Sequence, residues 1–277
     1  CDETMPMPFL APGDLQNAGL ADTAISISNP LVQEESLLRT SLMPGQLKII
    51  SYNLSHRIKK LKFFEIGHVY LPSKGDQLLP DEREYLSISI TGGDVSEIVA
   101  ILDLISSTMA FPNMQLKQQE IGGLHPARSA QVFVAGQNRG VVGEVDPRVL
   151  KNYGIDDSVA WLELDLGSIL MGSFGKKKYK SVSKYPSSDI DLAFEVPADT
   201  SSASIEGCLR KAGGAYLREI ELFDSYKADG VSEGVRSLAY SLRFQSSEGT
   251  LTDGEVSELR TACIGEVEKK TDAKLRE

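Results

Sequence analysis

The spacing of apolar residues changes period several times along the 277-residue chain, and each change marks a predicted element. In GQLKIISYNLSHRI, Leu47, Ile50, Leu54 and Ile58 recur every three or four residues, which predicts an amphipathic helix over 45–58. DVSEIVAILDLISSTMA predicts a second helix, with Val95, Ile98, Ile101, Leu102 and Ile105 on one face. KFFEIGHVYL and EYLSISITG read as strands, parted by SKGDQLLPDE, whose Gly, Pro and Asp mark a loop. AQVFVA, GVVGEV and VAWLELD add short strands. Strands joined by both tight turns and single helices predict a mixed or antiparallel α+β layer.

The stretch GSFGKKKYKSVSKYP then interrupts the pattern with Lys176, Lys177, Lys178, Lys180 and Lys184 among Gly, Ser and Pro. It reads as a basic linker or as a strap that touches phosphates. A domain boundary is placed near residue 180, giving domains 1–180 and 181–277. Beyond it the alternation is clean. In DIDLAFEV, Ile190, Leu192, Phe194 and Val196 share one face, and Asp191, Ala193 and Glu195 the other. Ser201 or Ser202 can cap a helix that carries Ile205, Cys208 and Leu209 and stops at Gly213–Gly214. REIELFDSYK and RSLAYSLRF are strands on either side of the turn ADGVSEG. Thr252 and Glu255 form a capping box ahead of a helix bearing Val256, Leu259, Cys263 and Val267, and AKLR is a short last strand. The order βαββαβ is ferredoxin-like: one antiparallel sheet with both helices on one face.

Phasing these strands by two lists the face that the helices leave bare. Ala193 lies there, as do Asp224 and Tyr226, while Phe223 is expected under the helices. Leu238, Tyr240, Leu242 and Phe244 point inward, leaving Ser237, Ala239, Ser241 and Arg243 outward; Leu275 goes in and Arg276 out. A phenol among small residues can carry a flat ring, and base–aromatic stacking is worth roughly 1–3 kcal/mol. The same phasing puts Ile220 and Leu222 on the bare face, where they call for cover.

Composition narrows the functions open to such a surface. A net charge of −10 excludes a bulk polyanion binder, so any nucleic-acid contact is local or shared with a partner. Cys1, Cys208 and Cys263 form no CxxC and are odd in number, which points to a reducing cytosol, with Cys208 and Cys263 as small core residues. His56, His68 and His125 are scattered, so no metal site is expected. No apolar run is long enough for a bilayer, and CDETMPMPFL lacks the pattern of a signal peptide. A chain beginning at Cys1 reads as a piece of a longer protein. GxxxxGK[ST] and HExxH are absent, and RSLAYSLRF does not match the RNA-recognition-motif signature.

The segments YPSSDIDLAFEVP, IELFDSY, GVRSLAYSLRF, TLTDGEV and AKLR resemble the ferredoxin-fold anticodon-binding domain that ends the bacterial phenylalanyl-tRNA synthetase beta subunit. NPLVQEESLLRTSLMPGQL, LKFFEIGHVYLP and LHPARSAQVFVAGQNRGVVGEVDPRVL resemble the catalytic-like domain of that family, in collinear order. The resemblance implies a class II synthetase-like antiparallel sheet for residues 1–180. It implies no catalysis there, because LPSKGD follows FEIGHVY without a Phe-Arg-x-Glu, and GVVGEVDPR lacks the Gly-x-Gly-x-x-Arg form. Arg39 and His125 are then expected to make structural hydrogen bonds. The implied partners are the catalytic alpha subunit, in an alpha2beta2 heterotetramer, and tRNA, with no DNA and no membrane. ATP and magnesium belong to the full complex and no cofactor to this chain, and the setting is cytoplasmic. Matched to the family, Tyr226 would stack on the first anticodon base, a guanine, whose edge Asp224 and Ser237 would bond. Ala193 would let a base come close, and Arg276 would meet the anticodon loop. Ile190 stands where the family has an arginine, removing one cation. A purely structural interaction module is the competing reading; a small-molecule-sensing domain, which would need a convergent ligand loop, is a third.

Overall fold

The computed structural model describes residues 1–73, 79–111, 114–172, 182–197, 200–226 and 234–276. Most of the lysine-rich stretch, 173–181, and the turn 227–233 lie outside the described residues. The chain divides into two compact units, Cys1–Lys178 and Tyr179–Glu277. Among the described residues no helix is long and apolar enough to cross a membrane.

The first unit runs β1 (Asp2–Glu3), β2 (Phe9–Leu10), α1 (Asp14–Asn17), β3 (Ile25–Ser26), β4 (Leu37–Leu38), α2 (Met43–Ser55), β5 (Lys62–Leu71) and β6 (Asp81–Thr91). It continues through α3 (Val95–Met109), β7 (Gln115–Gln118), β8 (Leu124–Val134), β9 (Gln137–Val145), α4 (Pro147–Asn152), β10 (Val159–Asp165) and α5 (Leu166–Leu170). Its main sheet has the order β1-β5-β6-β10-β9-β8-β7, antiparallel except where β1 meets β5. Both faces are covered. Trp161 and Phe63 pack with Leu47 and Ile50 of α2, whereas Leu162 and Ile88 pack with Ile98 and Leu102 of α3. That is why all seven residues of β10 are buried. The helix expected over 45–58 ends at Ser55, and Ile58 is half exposed. Arg57 takes φ 65° and the Ile58 N–H returns to the Asn53 carbonyl, so a left-handed cap turns the chain away before Ile58 can join the stripe.

The second unit runs β11 (Ser188–Pro197), α6 (Ser202–Gly213), β12 (Leu217–Tyr226), β13 (Val235–Phe244), α7 (Asp253–Lys270) and β14 (Lys274–Leu275). Its sheet order β12-β13-β11-β14, antiparallel throughout, is the ferredoxin-like βαββαβ arrangement. Ser201 caps α6, and Thr252 and Glu255 make both halves of the capping box on α7. Leu192, Phe194, Val196, Leu238, Tyr240, Leu242 and Phe244 bury against Ile205, Leu209, Cys263 and Val267. Both helices therefore cover one face. The alternate residues of β11 and β13 lie on the other.

Candidate nucleic-acid interface

Hydrogen-bond register places the bare-face residues in rows across the sheet. One row runs Lys274, Glu195, Ser237, Tyr226. The next runs Ala193, Ala239, Asp224, with Arg276 joined to Ala193 through its N–H to the Ala193 carbonyl at 2.8 Å. Tyr226 and Asp224 thus sit side by side on the edge strand, facing two alanines and a serine.

Two expectations for β12 are corrected. Ile220 and Leu222 do not lie on the bare face: they pair with Leu242 and Tyr240, whose side chains point at the helices. Phe223 is not under the helices; it is 54% exposed. One irregularity explains both. The register slips between Leu222 and Asp224, so one extra residue is inserted, and the one-residue shift exchanges the faces of the stretch 219–222, up to a second slip between Leu217 and Glu219. Counting by two from Tyr226 backward cannot see the insertion. No sequence signal at Leu222–Asp224 announces it.

The site residues differ in accessibility. Tyr226 is 39% exposed and Asp224 and Arg276 are exposed, but Ser237 is only 1% exposed and its hydroxyl has no hydrogen-bond partner among the described residues. The Arg276 guanidinium lies over the Tyr226 ring, 5.5 Å from its centroid, within cation–π range. Farther along the face, Arg243 is shared between Asp189, at 2.9 Å, and Glu219, at 2.7 Å. The guanidinium holds the Asp189 carboxyl below its ordinary range. Asp191 and Glu221 flank that group with no added cation in their row. Phosphates are therefore disfavoured at that end, and the Tyr226 end is the more suitable for an anionic strand.

In the first unit, several buried polar groups pair with one another, while one oxygen each of Gln46 and Glu65 has no partner among the described residues. Arg39 is buried, donating to Glu65 at 2.6 Å and to the His68 carbonyl at 2.8 Å. Gly67 makes room for that pair: a Cβ there would stand 2.9 Å from the Glu65 oxygen and closer still to the guanidinium. Glu163 accepts from the Leu42 N–H at 2.7 Å and from the Ser41 hydroxyl, and its burial pushes its pKa up to about 7. Arg83 is bound to Asp81 and Asp165. His125 accepts from the Ala127 N–H. Sequence reasoning missed the carboxylates because Glu65 and Glu163 read there as ordinary strand positions, in segments almost a hundred residues apart.

Comparison with known proteins agrees with this division. The family model for the phenylalanyl tRNA synthetase beta chain CLM domain matches residues 1–166, and that for the ferredoxin-fold anticodon binding domain matches residues 183–276. The phenylalanine–tRNA ligase beta subunit of Clostridium tetani is 33% identical over 91% of this chain and 32% of its own length. That of Geobacter metallireducens is 30% identical over 99% of this chain and 36% of its own length. That of Geobacillus kaustophilus is 32% identical over 91% of this chain and 33% of its own length. This chain therefore spans about a third of the length of the curated relatives it matches. With both family domains present in order across nearly every residue, the chain belongs to the phenylalanyl-tRNA synthetase beta chain family and corresponds to its C-terminal region.

Proposed function

We propose that this chain is the non-catalytic C-terminal part of a cytoplasmic phenylalanine–tRNA ligase, binding the anticodon of its tRNA through residues 181–277. Residues 1–180 pair with the catalytic alpha subunit, within an alpha2beta2 complex that uses ATP and magnesium. The observation that carries the reading is the placement of Tyr226, Asp224 and Ser237 in two adjacent rows of a sheet face that α6 and α7 leave bare. A carboxylate accepts hydrogen bonds and donates none, so Asp224 favours a base edge with two adjacent donors, which guanine offers and adenine does not. Tyr226 supplies the stacking plane, Ala193 and Ala239 the clearance, Ser237 a further polar group and Arg276 a cation for the loop backbone. In the first unit, neither class II motif supplies its arginine to stabilise charge on an activated phosphate.

Binding of a phenylalanine-specific anticodon stem-loop to the full chain at low salt tests this. Tyr226→Ala is expected to weaken it by about 1–3 kcal/mol, or roughly 5- to 150-fold. Asp224→Asn is expected to erase the preference for guanine over adenine at the first anticodon position. Absence of binding at low salt would discard the RNA reading in favour of a structural module, whose best support is the exposed pair Leu222 and Phe223 at the sheet edge.

A further inference from the structure

Ser237 and Ala239 lie on a sheet face with no helix over it, yet they are 1% and 7% exposed. Something in the unit covers them. Arg276 sits beside β11 on one side of the sheet and Tyr226 belongs to β12 at the opposite edge. Three strand spacings, about 14 Å, separate the line of β14, which Arg276 continues, from β12. For the guanidinium to reach 5.5 Å from the ring centroid, both side chains must extend toward each other over Ala193, Ala239 and Ser237. Only small residues would let them pass at that height. The cost of the arrangement is visible beneath it, where the Ser237 hydroxyl is buried with no partner among the described residues.

We propose that the Arg276–Tyr226 pair is a lid on the base-binding site, resting on the RNA reading above. A guanidinium is flat and stacks on aromatic rings much as a base does, so in the free protein Arg276 takes the place that the base will occupy. Displacing it loses one cation–π contact. In return a base stacks on Tyr226, the buried Ser237 hydroxyl gains a polar partner, and the freed guanidinium meets a phosphate. A neutral nucleoside has no phosphate to offer and receives only part of that return. The lid thus discriminates against free nucleosides and in favour of a base carried on a strand.

The test uses the full chain with Tyr226→Trp as a reporter. Trp161, the single natural tryptophan, is fully buried and gives an unquenched background. With the lid in place, acrylamide quenching of residue 226 should be partial, because position 226 is 39% exposed, and adding Arg276→Gln should raise the quenching constant clearly. In the natural Tyr226 background, Arg276→Gln should bind guanosine several-fold more tightly by NMR titration, since the fraction of open sites rises. The same variant should bind the anticodon stem-loop more weakly, with a shallower salt dependence. Equal quenching with and without Arg276, or equal or weaker guanosine binding by the variant, overturns the lid. A stem-loop that binds neither the natural chain nor Arg276→Gln overturns the RNA reading instead, and the quenching comparison still judges the lid by itself.

Discussion

Replacing Arg39 with methionine should destabilise the first unit by about 3–5 kcal/mol, a large part of an ordinary domain's margin. Arg39 is the cation that compensates Glu65, and both are almost fully buried, at 6% and 2% exposed. Removing it leaves a carboxylate in the core with Glu163 two strands away, separated only by Ser87 in the register. Burial already raises the Glu65 pKa against the pull of Arg39, so the orphaned group would take up a proton, and the loss should shrink as pH falls toward 5. Replacing both partners, as Arg39→Met with Glu65→Leu, should recover most of the stability, because two well-packed apolar side chains leave no charge to solvate. Urea unfolding followed by Trp161 fluorescence measures this, since the only tryptophan lies in the core of the first unit and does not report on the second. A loss below about 1 kcal/mol for the single variant would mean that water or the neighbouring backbone, not Arg39, satisfies Glu65.

Stability of the first unit should fall by about 3 kcal/mol between pH 4.5 and pH 7.5, and Glu163→Gln should remove most of that slope. The Glu163 carboxyl is pushed up to about 7 from an ordinary 4.5, chiefly by burial, with the Leu42 N–H and Ser41 hydroxyl opposing and Glu65 adding to it. The folded state therefore holds this proton more tightly than the unfolded chain does. Its contribution is complete below pH 4.5, declines as pH rises through about 7, and is absent above. At 1.36 kcal/mol per pKa unit, a rise of 2.5 units corresponds to about 3 kcal/mol. Asp94 and Asp146, in the same unit, have carboxyls held below their ordinary range, so their contributions are lost only in more acid solution. Glutamine keeps an acceptor for the Leu42 N–H and cannot ionise. Urea midpoints at pH 5, 6, 7 and 8 decide the matter. Parallel slopes for the natural chain and Glu163→Gln would exclude Glu163 as the titrating group.

Local periodicity was enough to place most of this architecture. Alternation in DIDLAFEV and RSLAYSLRF sorted Leu192, Phe194, Leu238 and Tyr240 from Ala193, Ser237 and Ala239, because successive strand side chains must point to opposite faces. The Thr252–Glu255 box and the Ser201 cap were legible because orphan N–H groups at a helix start demand short polar side chains nearby. What escaped was set by partners distant in the chain. The inserted residue at Leu222–Asp224 exists only as a mismatch with β13, and it turned Ile220 into the core and set Leu222 opposite Tyr240, still exposed at the sheet edge beside Phe223. The Ser237 burial and the Arg276–Tyr226 contact require two opposite sides of a sheet to be folded together. The paired carboxylates Glu65 and Glu163 acquire their shifted proton affinities from a shared dry interior that neither strand contains alone. Period and capping are properties of a few consecutive residues, and they can be read from a string. Register, burial and electrostatic coupling are relations between segments, and only chain closure creates them.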